Sequence, residues 1–458
     1  MKIDFEHLGT IEQGSITLND FTVFCGKNNS GKTYAMYSIY GLLKVDIPVK
    51  FDFVQLIIAE LKQNGTYLLN VEELFTTYKE EIINGIEKTF KQFFPMLFGV
   101  HPSIVWDAKI SLYFTDKKLE DTIKRLKDFK YSSNSLEEVL GTENLILSVE
   151  MENGKVEFIL KNLKTSDFTL QQIISMRLFN IFFGLPLLHT VFLLPAERTG
   201  IDIFFKELFS IRNLLLQQAQ NDTGFSQSLL KDVLAARYTE PIKDYLQFLN
   251  NISTTKNDKS RYIKYAEIIQ NEIVKGKYQI DEFGNIYFIP SDSQNNFLPL
   301  PLHFCSSTVK GLFGLIFYLE HLARLGGYLM IDEPELNLHP DNQRQVARVL
   351  VQLVNAGLKV IVSTHSDYFI RELNNLIMLK KDFSGAKELQ NKYGYQDNEL
   401  LDGKQMSAYL FDNNKITPMI LDEDEGVIAE TFDSVINNLN KSSNEIYYAM
   451  QDAKEQID

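Results

Sequence analysis

Gly26-Lys27-Asn28-Asn29-Ser30-Gly31-Lys32-Thr33 matches the pattern G-x-x-x-x-G-K-[ST], and each letter of that spelling has a mechanical meaning. The glycines let the backbone curl until successive N–H groups converge on a phosphate chain. Lys32 is expected to neutralise the β- and γ-phosphates of a bound nucleotide. Thr33 is expected to offer its hydroxyl to Mg²⁺. The flanks agree with this reading. Phe21-Thr22-Val23-Phe24-Cys25 has the unbroken apolar character of a buried strand, and Tyr34 to Tyr40 continues as a helix whose N-terminal dipole faces the phosphates.

The bulk properties set limits around this loop. A chain of 458 residues has room for roughly two or three structural units. Apolar residues at 45% and charged residues at 23% are ordinary for a globular protein. No stretch approaches the roughly eighteen apolar residues of a membrane span, so no membrane partner is expected. The start Met1-Lys2-Ile3-Asp4-Phe5-Glu6 lacks the layout of a signal peptide. Cys25 and Cys305 are the only cysteines, which excludes a disulfide scaffold and fits a cytoplasmic location. A net charge of −14 argues against a protein that coats nucleic acid with its whole surface.

Two further apolar strands end in chemistry. Tyr328-Leu329-Met330-Ile331 releases Asp332 and Glu333. An aspartate at the end of a buried strand suits the Mg²⁺-linked acid of a phosphate-loop ATPase, and Glu333 is placed to polarise the attacking water. Lys359-Val360-Ile361-Val362-Ser363-Thr364 ends at His365, the third polar feature at a strand end and the candidate sensor of the γ-phosphate.

Elsewhere the pattern is scaffolding. Residues 1–24 read as two short strands, Ile3–Phe5 and Ser15–Leu18, and the strand that feeds the loop. From Phe51 to Phe98 the apolar spacing is helical throughout, as in Val54, Ile57, Ile58 and Leu61. Strands are expected near Ile104–Phe114, a Lys- and Glu-rich helix near 117–140, and a hairpin turning at Glu152-Asn153-Gly154-Lys155. A helix from Ser166 leads to Val191-Phe192-Leu193-Leu194, an apolar strand ending near Glu197-Arg198. Residues 201–275 read as about three helices of some twenty residues, each about 30 Å long. A second hairpin turns at Glu282-Phe283-Gly284-Asn285.

The order of these motifs resembles the ABC-type ATPase heads of the SMC, RecF and OLD group, strongly over about 1–45 and 300–370. The resemblance implies an α/β fold, an ABC-type phosphate-loop ATPase head with a mixed sheet and helical insertions. The head would comprise 1–50, 99–200 and 277–458, with a helical insertion at 51–98 and a helical arm at 201–276. It implies hydrolysis of ATP with Mg²⁺ at a site shared by two copies of the chain, in a dimer or higher homo-oligomer. It also implies a signature segment before the acidic strand, where Cys305-Ser306-Ser307-Thr308-Val309-Lys310-Gly311-Leu312 stands. Ser306 and Ser307 would cap that helix and offer hydroxyls to a γ-phosphate. Two glycines usually follow the signature serine. Here Ser307-Thr308 follow, which leaves open which serine makes the contact. Glu335-Leu336-Asn337-Leu338-His339-Pro340 falls where the dimer-contacting loop belongs. By the same analogy Glu197 or Arg198 approaches Mg²⁺ or the γ-phosphate; the competing reading is a surface ion pair.

OLD-type heads continue into a metal-dependent nuclease domain. Residues 366–458 carry one Asp-x-Asp, Asp422 to Asp424, before a helical stretch (Val427–Leu439), and too little sheet pattern for a second catalytic unit. The chain therefore looks like the stand-alone ATPases of bacterial phage-defence pairs, the ATPase component of the PARIS system among them, in which a nuclease or other toxin is a separate protein. Two alternatives stand beside it. One is a DNA-clamping repair ATPase using the basic cluster Lys117, Lys118, Lys124, Arg125, Lys127 and Lys130. The other is the ATPase subunit of a transporter.

Overall fold

The computed structural model describes residues 1–44, 50–100, 107–114, 116–132, 147–161, 166–183, 191–208, 238–291, 298–381, 383–422, 426–428 and 430–455. Its frame is a nine-stranded mixed sheet. In spatial order the strands are Lys109–Tyr113, Lys2–Leu8, Ile11–Thr17, Lys415–Pro418, Met406–Asp412, Phe21–Gly26, Lys359–Thr364, Tyr328–Asp332 and Val191–Leu194. The last five of these run parallel. Their C-terminal ends therefore lie along one rim, where ligands of open α/β sheets collect.

Alternation along these strands builds a core on each face. Phe24, Leu193, Met330 and Ile361 pack on one side, under the helix Lys32–Leu43 and the 51–98 segment. Val23, Cys25, Leu194, Leu329, Ile331, Val360 and Val362 point to the other. That second core is closed by the helices Ser307–Phe317, Pro340–Asn355 and Asp367–Met378. Strands covered on both faces need apolar residues at most positions, which is why Val191–Leu194, Tyr328–Ile331 and Val360–Val362 read as unbroken apolar runs and Phe21–Cys25 nearly so.

Several expected elements appear where the residues place them. The Asn153-Gly154 hairpin has both turn residues in the left-handed region, φ 52° and 72°, joining Leu147–Glu152 to Lys155–Leu160. Ser166 caps the helix Asp167–Phe182, its hydroxyl accepting from the Thr169 N–H at 3.2 Å. The hairpin at 282–285 joins Gly276–Ile280 to Ile286–Pro290.

Four differences have physical causes. The first two strands span Lys2–Leu8 and Ile11–Thr17, longer than their apolar centres, because antiparallel pairing carries the ladder past them. Within 51–98, Thr66–Asn70 is a strand, paired with Lys155–Leu160 in a separate four-stranded sheet. Thr-Tyr-Leu-Leu suits that edge better than a helix. Residues 209–237 lie outside the described residues. The remainder of 201–276 is not built of twenty-residue helices: Glu240–Asn250, Ile252–Thr255 and Ile263–Ile268 are short and contribute Tyr245, Leu249, Ile252 and Ala266 to the second core. Ion pairs from Lys44 to Glu240 (2.9 Å) and Asp244 (2.8 Å) fasten the end of the loop helix to this segment. Finally, residues 366–458, expected to carry too little sheet pattern for a second catalytic unit, supply Met406–Asp412, a strand that joins the main sheet directly beside Phe21–Gly26. The helix that begins near Val427 runs as Glu430–Glu455.

Candidate active site

The phosphate loop leaves its strand at Gly26, φ 150°, and enters its helix at Gly31, φ 100°. Both glycines are sterically required. A Cβ at Gly26 would collide with the Phe411 carbonyl, and one at Gly31 would lie 2.6 Å from Ile11 Cγ1. Lys27, Asn28 and Asn29 line the exposed crest of the loop, while Ser30 keeps a buried hydroxyl without a hydrogen-bond partner. Lys32 is buried, and its Nζ donates to the carbonyls of Gly26 (2.9 Å) and Lys27 (2.8 Å). Burial lowers its pKa; the nearby Glu333, Asp332 and Glu335 carboxylates oppose that shift.

Parallel pairing brings the acids to the loop. In register, Asp332 lies opposite Ser363 and Thr364 opposite Cys25. The Thr33 hydroxyl donates to Asp332 Oδ2 at 3.0 Å, and Ser363 donates to Asp332 Oδ1. Glu333 adopts φ 53°, a strained left-handed conformation for a residue with a side chain, and its N–H is held by the Ser363 carbonyl at 3.1 Å. His365 Nδ1 lies 3.5 Å from Glu333 Oε1. Glu333, Asp332, His365, Lys32 and Thr33 thus converge on one rim.

Two participants were not legible as such. Arg198 is 2% exposed, neither a surface ion pair nor free to approach a phosphate. Its guanidinium donates to the carbonyls of Pro195 (3.0 Å), Asp332 (2.8 Å), Glu333 (2.7 Å) and Gly311 (3.1 Å). It therefore ties the acidic turn to the helix that begins at Ser307. Glu197 is exposed. Glu335, expected in a dimer-contacting loop, is instead 5% exposed beneath the histidine strand. Burial raises its pKa against hydrogen bonds from the His365 N–H and the Thr364 hydroxyl, both 2.8 Å.

Ser306 and Ser307 are exposed at their helix start, with Ser306 Oγ accepting from the Val309 N–H at 3.3 Å. Among the described residues no hydrogen bond joins either serine to the phosphate loop of the same chain. Thr308 donates instead to the Asn337 carbonyl at 3.2 Å. His339 is likewise exposed and caps the helix Pro340–Asn355.

The donor set fits a nucleotide with a hard divalent cation. One carboxylate and one hydroxyl, Asp332 and Thr33, are what Mg²⁺ needs from protein when phosphates and waters complete its shell. Three carboxylates around one lysine would otherwise repel a polyphosphate. Among the described residues no group of three or more His, Cys, Asp or Glu forms a self-sufficient metal cage. Asp424 lies outside the described residues, and Asp422 ends the short strand Leu421–Asp422.

Behind Arg198, on the same helix face, Asp202 is buried and accepts from Tyr245 Oη at 2.7 Å, while its Oδ2 has no partner. Burial pushes its pKa from 3.8 up to about 8, against Tyr245 and Arg198. Between those values the folded chain keeps a proton that the unfolded chain has released. The group's stabilising contribution is therefore full below 3.8 and is lost as pH rises through about 8. Asp202→Asn keeps the acceptor for Tyr245 and removes the titration. Its melting temperature should exceed that of the wild type by a margin that widens from pH 5 to pH 8. Parallel melting profiles across that range would contradict the assignment.

Fold and site together define a phosphate-loop ATPase head of the α/β class with a mixed sheet and helical insertions. The chain belongs to the AAA ATPase domain family, whose model matches residues 1–370. No curated protein matches it. Among solved structures it is similar to an Smc head bound to the C-terminal winged-helix domain of ScpA, at 10% identity over 92% of this chain and 98% of that one, with a TM-score of 0.33. It is similar also to a Pyrococcus furiosus Smc head with an extended coiled coil bound to the C-terminal domain of ScpA (11%, 96% and 98%, TM-score 0.32). A third is the SMC head domain of Thermotoga maritima (10%, 92% and 98%, TM-score 0.30). No helix among the described residues is long and apolar enough to cross a membrane.

Proposed function

We propose that this ATPase hydrolyses Mg²⁺-bound ATP at a site completed by a second copy of the chain, and that its nucleotide state holds or releases a separate effector protein in bacterial defence against phage. The observation that carries the catalytic part is the convergence of Lys32, Thr33, Asp332, Glu333 and His365 on one rim, with Ser306 and Ser307 exposed. The cation would sit between Thr33 and Asp332 and supply charge neutralisation at the phosphates. Lys32 would exchange its two loop carbonyls for phosphate oxygens. Glu333 would take the proton of the attacking water, and His365 would donate to the γ-phosphate.

Support for effector control is the motif order of stand-alone defence ATPases together with the Arg198 clamp. That clamp links the acidic turn mechanically to the helix over 198–208. DNA clamping ranks second because Lys127 and Lys130 are engaged by Glu72 and Glu152. The test is affinity purification with the neighbouring genes co-expressed, in ATP and in ADP, using Glu333→Gln to hold the ATP state. An adjacent-gene product should be retained in one nucleotide state and lost in the other. Retention of no neighbour in either state counts against effector control, and retention of duplex DNA by the ATP state favours the clamp.

A further inference from the structure

We infer that Glu335 is a positioning residue for hydrolysis, holding His365 in place through one carboxylate oxygen. This deepens the reading of the site as an ATP-hydrolysing centre and rests on it.

Glu335 follows Glu333 by two residues, beyond a turn in which the Leu336 N–H returns to the Glu333 carbonyl at 3.1 Å. The turn carries its side chain back under the end of the neighbouring strand Lys359–Thr364. There Oε1 accepts from the Thr364 hydroxyl (2.8 Å) and from the His365 backbone N–H (2.8 Å), and lies 3.4 Å from His365 Nδ1. The Thr364 hydroxyl in turn accepts from the Ser366 N–H at 3.0 Å. One buried oxygen therefore fixes where the strand stops and where the histidine starts. The downstream side is equally fixed: Ser366 Oγ donates to Gln343 Oε1 (2.6 Å) and caps the helix Asp367–Met378 by accepting from the Phe369 N–H (3.2 Å). The His365 ring is 42% exposed and has its Nδ1 edge between Glu333 and Glu335, leaving Nε2 as the nitrogen to meet a phosphate.

Glu335 needs no contact with nucleotide to matter. A displacement of about 1 Å in a catalytic group costs roughly 10²-fold in rate. Burial places the carboxylate where its geometry, more than its charge, is consequential: Oε2 is buried with no partner while Oε1 carries both hydrogen bonds. Two conservative substitutions separate these properties. Glu335→Gln keeps an oxygen at the same reach and removes the charge. Glu335→Asp keeps the charge and withdraws the oxygen by one methylene.

The experiment measures ATP turnover of the full chain for both variants, each in the wild-type and the His365→Ala background, with melting temperatures as a check on folding. Glu335→Asp should lower kcat by about 10–10²-fold with KM for ATP within about twofold. Glu335→Gln should stay within about threefold of wild type, since it keeps the acceptor. In the His365→Ala background, Glu335→Asp should change kcat by less than about twofold, because two residues acting as a unit are not additive. An equal factor in both backgrounds, or a Gln variant as slow as the Asp variant, would overturn the assignment while leaving the ATPase reading intact. A wild-type chain that does not hydrolyse ATP would overturn both. If Glu335→Asp fails to fold, slow turnover in a folded Glu335→Gln still refutes the positional role.

Discussion

Glu333→Gln is expected to bind ATP as the wild type does and to turn it over about 10²-fold or more slowly, the usual size of lost general-base assistance. Lys32→Ala should fail earlier, weakening nucleotide affinity by roughly 10–10²-fold, the equivalent of one charge-assisted hydrogen bond or two. The contrast follows from where the two side chains sit. Lys32 is buried inside the loop and already satisfied by the Gly26 and Lys27 carbonyls, so its ammonium is a stored donor for the phosphates that would displace them. Glu333 lies past the strand end, half-buried, with its backbone held at φ 53° by Ser363 on one side and Arg198 on the other. A left-handed residue costs about 1–3 kcal/mol and persists only where its surroundings over-determine it. That expense is understandable if the conformation aims the carboxylate at a water. Titration of a fluorescent nucleotide and a coupled ATPase assay check both variants. Wild-type turnover in Glu333→Gln would remove it from the chemistry, and unchanged affinity in Lys32→Ala would remove the lysine from phosphate binding.

The parts of this site that could be read from the chain alone are those written in a few consecutive residues. A phosphate loop must contain Gly26, Gly31, Lys32 and Thr33 in that spacing because backbone curvature, charge and hydroxyl have to meet within one turn. An apolar strand that ends in Asp332-Glu333 announces itself in the same way. Glu335 and Arg198 were hidden for a shared reason: their partners are carbonyls, amides and hydroxyls on other elements. Arg198 beside Glu197 looks like an ion pair in sequence. Only the parallel pairing of Val191–Leu194 with Tyr328–Asp332 puts its guanidinium against the carbonyls of Asp332 and Glu333. Likewise Glu335 follows Pro334 and looks like part of a surface loop, until the Asp332–Ser363 register brings Thr364 over it. The strand Met406–Asp412 was missed although a local signal existed. Asn413-Asn414, both with positive φ, is the turn that folds Lys415–Pro418 back on it.

Neither Lys32→Ala nor a chain carrying both Ser306→Arg and Ser307→Arg should hydrolyse ATP alone, yet a mixture of the two should recover activity. Ser306 and Ser307 are exposed at the N-terminus of an otherwise buried helix, where free N–H groups and hydroxyls favour an anion. No phosphate-loop atom of the same chain bonds to them among the described residues. The loop that follows the acidic strand, tied to Thr308 through Asn337, ends in the exposed His339. If a second copy brings its own serines to the first copy's nucleotide, each dimer holds two sites. When each serine pair serves the opposite chain's loop, a mixed dimer holds one site with both defects, the Lys32→Ala loop facing its partner's arginines, and one site in which intact Lys32 and Thr33 face its partner's intact serines. Were the serines to act within their own chain, each site of the mixed dimer would carry one defect and neither would be whole; acting across the interface, they leave one site complete. One whole site then re-forms per mixed dimer. Random pairing of equal amounts makes about half of the dimers mixed, each with one of its two sites whole, so recovery should approach roughly a quarter of wild-type turnover if sites act independently. Differently tagged chains, co-purified and assayed, supply the measurement. Mixed dimers that form and stay inactive would show that the serines do not act across the interface.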